Sequence, residues 1–349
     1  MKRNSFFLLL FAVLTMVVMV GCDKENDKPD GNNSNLPKVL LAGADMDIIN
    51  PTAAVCWEDG AKKTFASAMD NTTTSVFCDG SDIYYAGRME NKPTIWKNGV
   101  AQVLSQTSGC VNDIYVSNGM VYAVGQLNHV ATLWRNGTAE SLATNYQTLY
   151  PYSEPTSEAF AVSIANGKVY VAGCVYVSGT SKAAYLWTNG TYQMLSDGGG
   201  CAYDVFVDGT TVYVVGEAPQ ESSIISNLTV PALWTNGTLR DLTPTNQTPL
   251  PGRATCVWVD NHVPYVTFYQ EKGSMYQSII QGYLYENGTT RELSCRRPYA
   301  VCKKDGDLYI AGRKEQWVGH DLPVLLKNNE EQTLEGAKTP GCVNAIFVR

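Results

Sequence analysis

Histidine is scarce in this sequence, and basic residues are outnumbered by acidic ones. Only three histidines occur among 349 residues, and none stands at a spacing typical of metal ligands. The net charge of −7 and the lack of a basic cluster beyond Arg296-Arg297 argue against binding to nucleic acid, which rewards dense lysine and arginine. We therefore expect no metal, no cofactor and no nucleic-acid partner.

Familiar catalytic motifs are also missing. There is no nucleophile elbow, no His-Glu-x-x-His pair and no glycine-rich phosphate loop. The acidic stretch Asp79-Gly80-Ser81-Asp82 is interpreted as a hairpin turn rather than a calcium loop. By motif alone, the sequence predicts no enzyme and no catalytic residue.

Cysteine is plentiful, but its arrangement does not indicate a disulfide framework. Setting aside Cys22, nine of the ten cysteines remain, an odd number, and no Cys-x-x-Cys pair occurs. Cys56, Cys78, Cys174 and Cys302 stand within apolar strand patterns, where cysteine behaves as a small hydrophobe. We expect mostly free, buried thiols, with room for one or two disulfides.

The only long apolar run is at the amino terminus. Lys2 and Arg3 precede the run from Phe6 to Val20, which is shorter than the roughly 20 residues that a membrane-spanning helix needs. The run ends in Met19-Val20-Gly21-Cys22, which resembles the lipobox of bacterial lipoproteins. The resemblance implies a signal peptide over residues 1–21 and lipid chains, palmitate among them, on Cys22. The alternative is an ordinary cleaved signal with a chance cysteine.

Residues 22–36 form a polar, acidic segment. It has no aromatic or β-branched residue, so it predicts a flexible tether. Acidic residues after the lipidated cysteine resemble the export tag of surface lipoproteins in some anaerobic Gram-negative bacteria. That resemblance implies an outer-membrane lipoprotein displayed on the cell surface. Display on the periplasmic side stays open, and Asp23 is a retention signal for the inner membrane in other bacteria.

A phrase of the form Leu-Trp-x-Asn-Gly recurs through the rest of the chain. Seven copies, some weaker than others, share an aromatic or apolar residue just before a turn. An apolar residue follows that position by eight in every copy. The residues at this position, the second of the phrase, are Trp57, Trp96, Trp134, Trp187, Trp234, Tyr285 and Leu326.

Each copy is preceded by two β-branched and aromatic runs that are separated by Asn-Gly or Asp-Gly, which favour tight hairpin turns. Every unit thus offers four short antiparallel strands, and the pattern resembles the blades of a β-propeller. It lacks the Gly-His and Trp-Asp signature of WD40 repeats. The carboxy-terminal run at residues 342–348 matches a first strand, and residues 38–43 match a second strand. The sequence therefore predicts an all-β, seven-bladed propeller over residues 37–349, closed by pairing of its two ends.

The five tryptophans recur in register with the repeat. They fit the wedge-shaped gaps between blades, so we interpret them as packing residues rather than a sugar-stacking array.

The two faces of such a propeller differ in this sequence. Connections between first and second strands, and between third and fourth, are tight turns. The other connections vary in length and carry aromatic and charged residues, as binding loops do. From these loops the candidate binding residues are Tyr146, Tyr150, Tyr152, Tyr276 and Trp317.

The innermost strands begin on the same face. Aligning the units places Thr72, Cys110, Glu158, Cys201, Arg253, Arg297 and Cys342 at the rim of the central opening. Arg88 and Arg313 follow the second strands. These arginines could receive an anionic group of a ligand. The alternative is a solvated charged rim.

Three functions remain open at this stage. The favoured hypothesis is a non-catalytic binding module that presents a glycan or protein ligand site on the long-loop face. The first alternative is a carbohydrate-active enzyme, a glycosidase or a lyase, on the same face; a glycosidase would need two facing carboxylates. The second is a structural scaffold subunit of an outer-membrane assembly.

Overall fold

Seven four-stranded antiparallel sheets make up the computed structural model of the protein. The structure describes residues 38–46, 50–142, 156–178, 181–220, 228–245, 247–274, 277–315 and 321–349. Within these ranges there is no helix. The predicted all-β propeller with seven blades is confirmed.

Each blade is a simple meander in which neighbouring strands pair. Blade 1 combines the last strand with the first three, and blades 2 to 7 follow in chain order. The strands are as follows: blade 1, β28 (Gly341–Val348), β1 (Val39–Met46), β2 (Pro51–Glu58) and β3 (Ala61–Ser67); blade 2, β4 (Thr72–Asp79), β5 (Asp82–Met89), β6 (Lys92–Lys97) and β7 (Val100–Val103); blade 3, β8 (Gly109–Ser117), β9 (Met120–Leu127), β10 (Val130–Arg135) and β11 (Thr138–Ser141); blade 4, β12 (Thr156–Ala165), β13 (Lys168–Ser178), β14 (Ser181–Thr188) and β15 (Thr191–Ser196); blade 5, β16 (Cys201–Asp208), β17 (Thr211–Pro219), β18 (Thr229–Thr235) and β19 (Thr238–Asp241); blade 6, β20 (Gly252–Asp260), β21 (Val263–Ser274), β22 (Gln277–Glu286) and β23 (Thr289–Glu292); blade 7, β24 (Arg297–Lys304), β25 (Asp307–Glu315), β26 (Asp321–Lys327) and β27 (Glu330–Glu331).

The ring closes in blade 1, as the sequence predicts. Strand β28 pairs with β1 over its whole length, from Val39 opposite Val348 to Asp45 opposite Gly341. The last strand is therefore the innermost strand of blade 1, which has four strands like the other six blades.

Tight turns occupy one face, which we call the turn face. Every described connection from a first to a second strand, and from a third to a fourth, has two residues between the strands. Asn98 and Gly99, with φ of 50° and 82°, are typical of these turns, because a two-residue hairpin with the right twist needs positive φ. We call the opposite face the loop face. Two connections on this face, at Glu90-Asn91 and Asn128-His129, also have only two residues. The loop face therefore carries some tight turns as well as the longer loops that the sequence predicts.

The hydrophobic core lies between neighbouring blades. The five tryptophans of the repeat are 0–1% exposed and are among the largest fully buried side chains, which confirms their packing role. Such aromatic side chains fill the space that widens from the axis to the rim of the ring. No helix in the described ranges is long and apolar enough to cross a membrane.

The cysteines of the propeller are not cross-linked. All nine from Cys56 to Cys342 are free thiols, and seven of them are buried. The expectation of mostly free, buried thiols is confirmed, and none of the disulfides for which the sequence left room is formed among these nine. The signal segment and the whole tether, Cys22 included, lie outside the described residues.

Candidate functional site

A β-bulge interrupts the innermost strand of every blade. In each blade the register with the second strand skips one residue near the loop face. A bulged residue leaves the ladder, so its side chain is free to turn toward the axis. The seven bulged residues are Thr74, Asn112, Phe160, Tyr203, Thr255, Tyr299 and Asn344, and all of them line the central cavity.

Glycine faces the bulge in six of the seven blades. A Cβ on Gly125, for example, would collide with the carbonyl oxygen of Cys110. Only a glycine lets the second strand pass this close to the bulged backbone. In blade 6 the same place is taken by Phe268, which pairs with Ala254 and stacks on Tyr283.

The bulged residues divide into two kinds. In blades 1, 2, 3 and 6 a short polar side chain donates a hydrogen bond to a backbone carbonyl of the next blade. The four bonds are Asn344 Nδ2 to Thr73 O (2.8 Å), Thr74 Oγ1 to Val111 O (2.7 Å), Asn112 Nδ2 to Ala159 O (2.9 Å) and Thr255 Oγ1 to Pro298 O (2.7 Å). In blades 4, 5 and 7 the same place holds an aromatic residue instead. In these three blades an aromatic ring therefore takes the place of the side chain that bonds to the backbone of the next blade.

The cavity enclosed by the bulges has a volume of about 200 Å³ and is lined by all seven innermost strands. Two aspartates of these strands brace the blades. The Asp113 carboxylate accepts from Ser75 Oγ at 2.6 Å and from the Val162 amide at 2.9 Å, and Asp204 accepts from the Val257 amide at 2.8 Å. These carboxylates hold the ring together because each spans two or more blades.

Arginines and tyrosines alternate at the cavity mouth on the aromatic side. We call this set the rim arc; it consists of Tyr203, Glu217, Arg253, Tyr269, Arg297, Tyr299, Arg313 and Asp321. Arg253 lies at its centre, with its Cζ 5.3 Å from the Tyr203 ring centroid and 5.8 Å from that of Tyr269. Its Nη1 donates to Tyr203 Oη at 3.2 Å. Within the described part of the chain Arg253 forms no ion pair with a carboxylate, so its positive charge can pair with an anionic ligand.

Tyr203 connects this arginine to a buried carboxylate. Its hydroxyl donates to Glu217 Oε1 at 3.0 Å. Glu217 is only 4% exposed, and it also accepts from Lys182 Nζ at 3.2 Å and from Thr229 Oγ1 at 3.1 Å. A guanidinium, a phenol and a carboxylate thus form one hydrogen-bonded row that leads from the cavity mouth into blade 5.

Arg297 and Arg313 stand opposite each other on β24 and β25. Both reach the same oxygen of Asp321, with Nη1 to Oδ2 distances of 3.4 Å and 2.8 Å. Arg297 also lies 6.0 Å from the Tyr269 ring centroid, and Arg313 lies 5.4 Å from that of Tyr299. Tyr269 therefore lies between Arg253 of blade 6 and Arg297 of blade 7.

Burial keeps the tyrosines of the arc protonated. It raises the pKa of Tyr203 well above its ordinary value, although the Arg253 charge acts in the opposite direction. Burial likewise raises the pKa of Tyr269 and of Tyr299, against the neighbouring arginines. At neutral pH these phenols are hydrogen-bond and proton donors.

The remaining described candidates lie elsewhere on the rim. Glu158 of blade 4 accepts from Asn112 Nδ2 at 2.8 Å, and burial raises its pKa. Arg88 of blade 2 donates to the Asp70 carbonyl at 2.7 Å and lies 3.8 Å from the Asp70 carboxylate. The structure thus brings Arg253, Arg297 and Arg313 into one arc, whereas Arg88 and Glu158 have partners of their own.

The loop candidates Tyr146, Tyr150, Tyr152, Tyr276 and Trp317 lie outside the residues whose side chains the structure describes. The residues missed from sequence are Tyr203, Glu217, Tyr269 and Tyr299. A signal for two of them exists, because Tyr203 and Tyr299 each stand two places after a rim residue. Among the described residues, no group of three or more histidine, cysteine or acidic side chains could hold a metal ion.

Comparisons with known proteins support the fold, but they identify no family for this chain. No family model matches the chain, and no curated protein matches it. Among solved structures, an ulvan lyase from a new family of polysaccharide lyases matches with a TM-score of 0.53 and 11% identity, over 87% of this chain and 93% of the lyase. A putative 6-phosphogluconolactonase from Bacteroides fragilis matches with a TM-score of 0.48 and 9% identity, over 92% of this chain and 100% of the other. The β-propeller domain of the trilobed protease from Pyrococcus furiosus matches with a TM-score of 0.47 and 12% identity, over 87% and 94%.

The hypothesis of a non-catalytic binding module is wrong on these findings. Solved structures with this fold include enzymes, and the ulvan lyase acts on a carbohydrate. The alternative of a carbohydrate-active enzyme is therefore better supported than the main hypothesis, while the fold itself accommodates enzymes and binding proteins alike. Paired carboxylates are the catalytic groups sought in the sequence, whereas the polar groups beside the arginines of this rim are the tyrosines Tyr203, Tyr269 and Tyr299.

Proposed function

We propose that the protein is a polysaccharide-cleaving enzyme that breaks a uronic acid-containing chain by β-elimination at the rim arc. The observation that carries the proposal is the row formed by Arg253, Tyr203 and Glu217 at the mouth of the central cavity. The likeness in fold to a polysaccharide lyase supports it.

Elimination from a uronate needs a cation, a proton acceptor and a proton donor. The proton on the carbon next to the carboxylate is removed, the adjacent carbon–oxygen bond breaks, and a double bond forms between the two carbons. The Arg253 guanidinium pairs with the substrate carboxylate and stabilises the negative charge that develops there. Its lack of a carboxylate partner among the described residues and its position beside two tyrosine rings suit this role.

Tyr203 and Glu217 transfer the proton. Glu217 takes the phenolic proton as Tyr203 accepts the carbon-bound proton, and Tyr203 then donates a proton to the leaving glycosidic oxygen. Glu217 returns its proton to Tyr203 at the end, so the pair is unchanged and no water is consumed. Lys182 and Thr229 hold Glu217 in place for this exchange.

An activity screen of the purified full-length protein tests the proposal. Polygalacturonate, alginate and a glucuronate-containing glycan are the acidic substrates, and starch is the neutral one. Ultraviolet absorbance of unsaturated uronate should increase with an acidic substrate only. Arg253→Ala should lower the rate about 100- to 1000-fold, as loss of a charge-stabilising donor does. Tyr203→Phe should lower it by a comparable factor, since the transferable proton is gone.

Arg240→Ala is the matched control. Arg240 also donates to a tyrosine, with Nη1 to Tyr285 Oη at 2.8 Å, but it belongs to β19, the outermost strand of blade 5. Its rate should equal that of the unaltered protein. New reducing ends without unsaturated product would indicate a hydrolase, and Arg253→Ala at full rate would exclude the arc as the active site.

We also propose that Cys22 carries lipid and anchors the enzyme to the outer membrane, with the propeller on the cell surface. The proposal is supported by the sequence Met19-Val20-Gly21-Cys22 and by the acidic segment behind it. Metabolic labelling with a palmitate analogue should mark the unaltered protein and leave Cys22→Ser unmarked. Protease treatment of intact cells should degrade the propeller if it is displayed outside.

A further inference from the structure

The rim arc holds more positive charge than the reaction at Arg253 requires. Arg297 and Arg313 share the single carboxylate Asp321, and both contact its Oδ2 atom. Paired arginine and carboxylate groups usually form two parallel hydrogen bonds, and neither arginine does so here. One carboxylate thus faces two guanidinium groups.

The hydrogen bonding of this pair is also incomplete. The Nε atoms of Arg297 and Arg313 are buried and have no partner among the described residues. Buried donors are rarely left unpaired in folded proteins, because a buried donor without a partner has lost the hydrogen bonds that it made to water. Meanwhile the two side chains remain 28% and 20% exposed, so part of each guanidinium faces solvent. An incompletely paired, partly exposed arginine pair is suited to an anionic ligand.

The pair lies within reach of the same substrate as Arg253. Arg253 and Arg297 stand 5.8 Å and 6.0 Å from the centroid of the Tyr269 ring, so their Cζ atoms are at most 11.8 Å apart. This upper limit places the two guanidinium groups close enough together to contact neighbouring sugars of one chain. The two cationic positions lie on adjacent blades 6 and 7, along the same rim.

We propose that Arg297 and Arg313 form a second anion subsite, which binds a charged group on the sugar next to the one that Arg253 receives. The substrate is then a glycan with charges on neighbouring sugars, rather than one whose uronates are separated by neutral sugars. This inference rests on the proposed function for the position of Arg253 at the cleaved sugar. Asp321 orients the two arginines and offsets part of their mutual repulsion when no ligand is bound.

Binding of two matched oligosaccharides to the full-length protein tests the inference by calorimetry. The first probe is hexagalacturonate, and the second is a hexamer of alternating galacturonate and rhamnose. The unaltered protein should bind the first roughly tenfold more tightly, since one charge-assisted contact is added. Added salt should reduce that preference. Arg313→Ala should remove the preference while leaving affinity for the alternating hexamer unchanged, and Arg240→Ala should keep it.

The outcomes separate this inference from the proposed function. Equal affinity of the unaltered protein for both probes would overturn the subsite, as would Arg313→Ala weakening both equally. Arg313→Lys, which retains the charge, should keep part of the preference, and this excludes a mere loss of folding. A preference without any cleavage of either probe would support the subsite and contradict the enzyme. Cleavage of a probe, with equal affinity for both hexamers, would support the enzyme and contradict the subsite.

Discussion

The bulged residue of each innermost strand serves one of two purposes, depending on its side chain. Asn112 and Thr74 tie their blade to the next one through a backbone carbonyl. At the same place Tyr203 donates instead to Glu217, in its own blade, and contacts Arg253. Tyrosine at this position therefore replaces the bond to a backbone carbonyl with side-chain hydrogen bonds at the cavity mouth. Departures from an otherwise repeated structural device are expected at functional sites.

Glu158 offers a test of rim electrostatics by pH. Burial raises its pKa above the ordinary 4.5, so the native state binds this proton more tightly than the unfolded chain does. The contribution of this group to stability is complete below that ordinary pKa and is lost as pH rises through the folded-state pKa. Glu158→Gln should therefore increase the free energy of unfolding at neutral pH, and the gain should vanish near pH 4.

Urea denaturation at both pH values measures this difference. Glu330→Gln, at an exposed position of β27, is the control and should change stability at neither pH. A loss of stability at neutral pH in Glu158→Gln would mean that the charged carboxylate is needed by its partners, Asn112 among them.

At the scale of the blade, the bulge and the facing glycine form one unit. The bulged strand moves toward its neighbour, and Gly125 leaves room for the Cys110 carbonyl in blade 3. The same pair recurs in every blade except blade 6, where Phe268 replaces the glycine. Arg253 and Arg297 each stand two places before the bulged residue of their strand, so the bulge itself places them at equivalent points of adjacent blades.

Gly125→Ala should destabilise the protein by about 1–3 kcal/mol, the usual effect of overpacking. Gly119→Asn is the matched control in the turn between β8 and β9. Gly119 has a φ of 73° and no neighbour near its Cβ position, and asparagine tolerates positive φ. Chemical denaturation should show a small change for the control only. Equal effects of both substitutions would contradict the role of close approach.

Sequence periodicity predicts the blades well and the site only in part. Trp134 and its equivalents recur before an Asn-Gly turn, so the order of the strands in each blade can be predicted from the repeat. Closure of the ring can be predicted because the two ends of the repeat complete one blade. Arg253 and Arg297 could be placed at the rim by aligning the units. Tyr203 could not be assigned a role, because its partner Arg253 lies fifty positions away on another blade. Glu217 follows a strand glycine and belongs to no recognisable motif. Its hydrogen-bond partners Lys182 and Thr229 are distant in sequence and lie near it only in the folded protein.

For the whole molecule, closure of the ring makes the rim a single surface. Strand β28 completes blade 1 next to β24 of blade 7. The arc in blades 5 to 7 is therefore flanked by a complete blade on each side. The turn face carries short hairpins, whereas the loop face carries the cavity mouth and the cations. A polysaccharide chain would therefore be bound across the loop face, with one bond held at Arg253.

The mass balance of the cleavage products tests the elimination most directly. A purified oligouronate is incubated with the full-length protein, and the fragments are weighed by mass spectrometry. Elimination consumes no water, so two fragments should together weigh as much as the substrate, and one should end in an unsaturated sugar. Fragments that together exceed the substrate by one water, or an oligouronate that stays intact under every condition, would contradict the account.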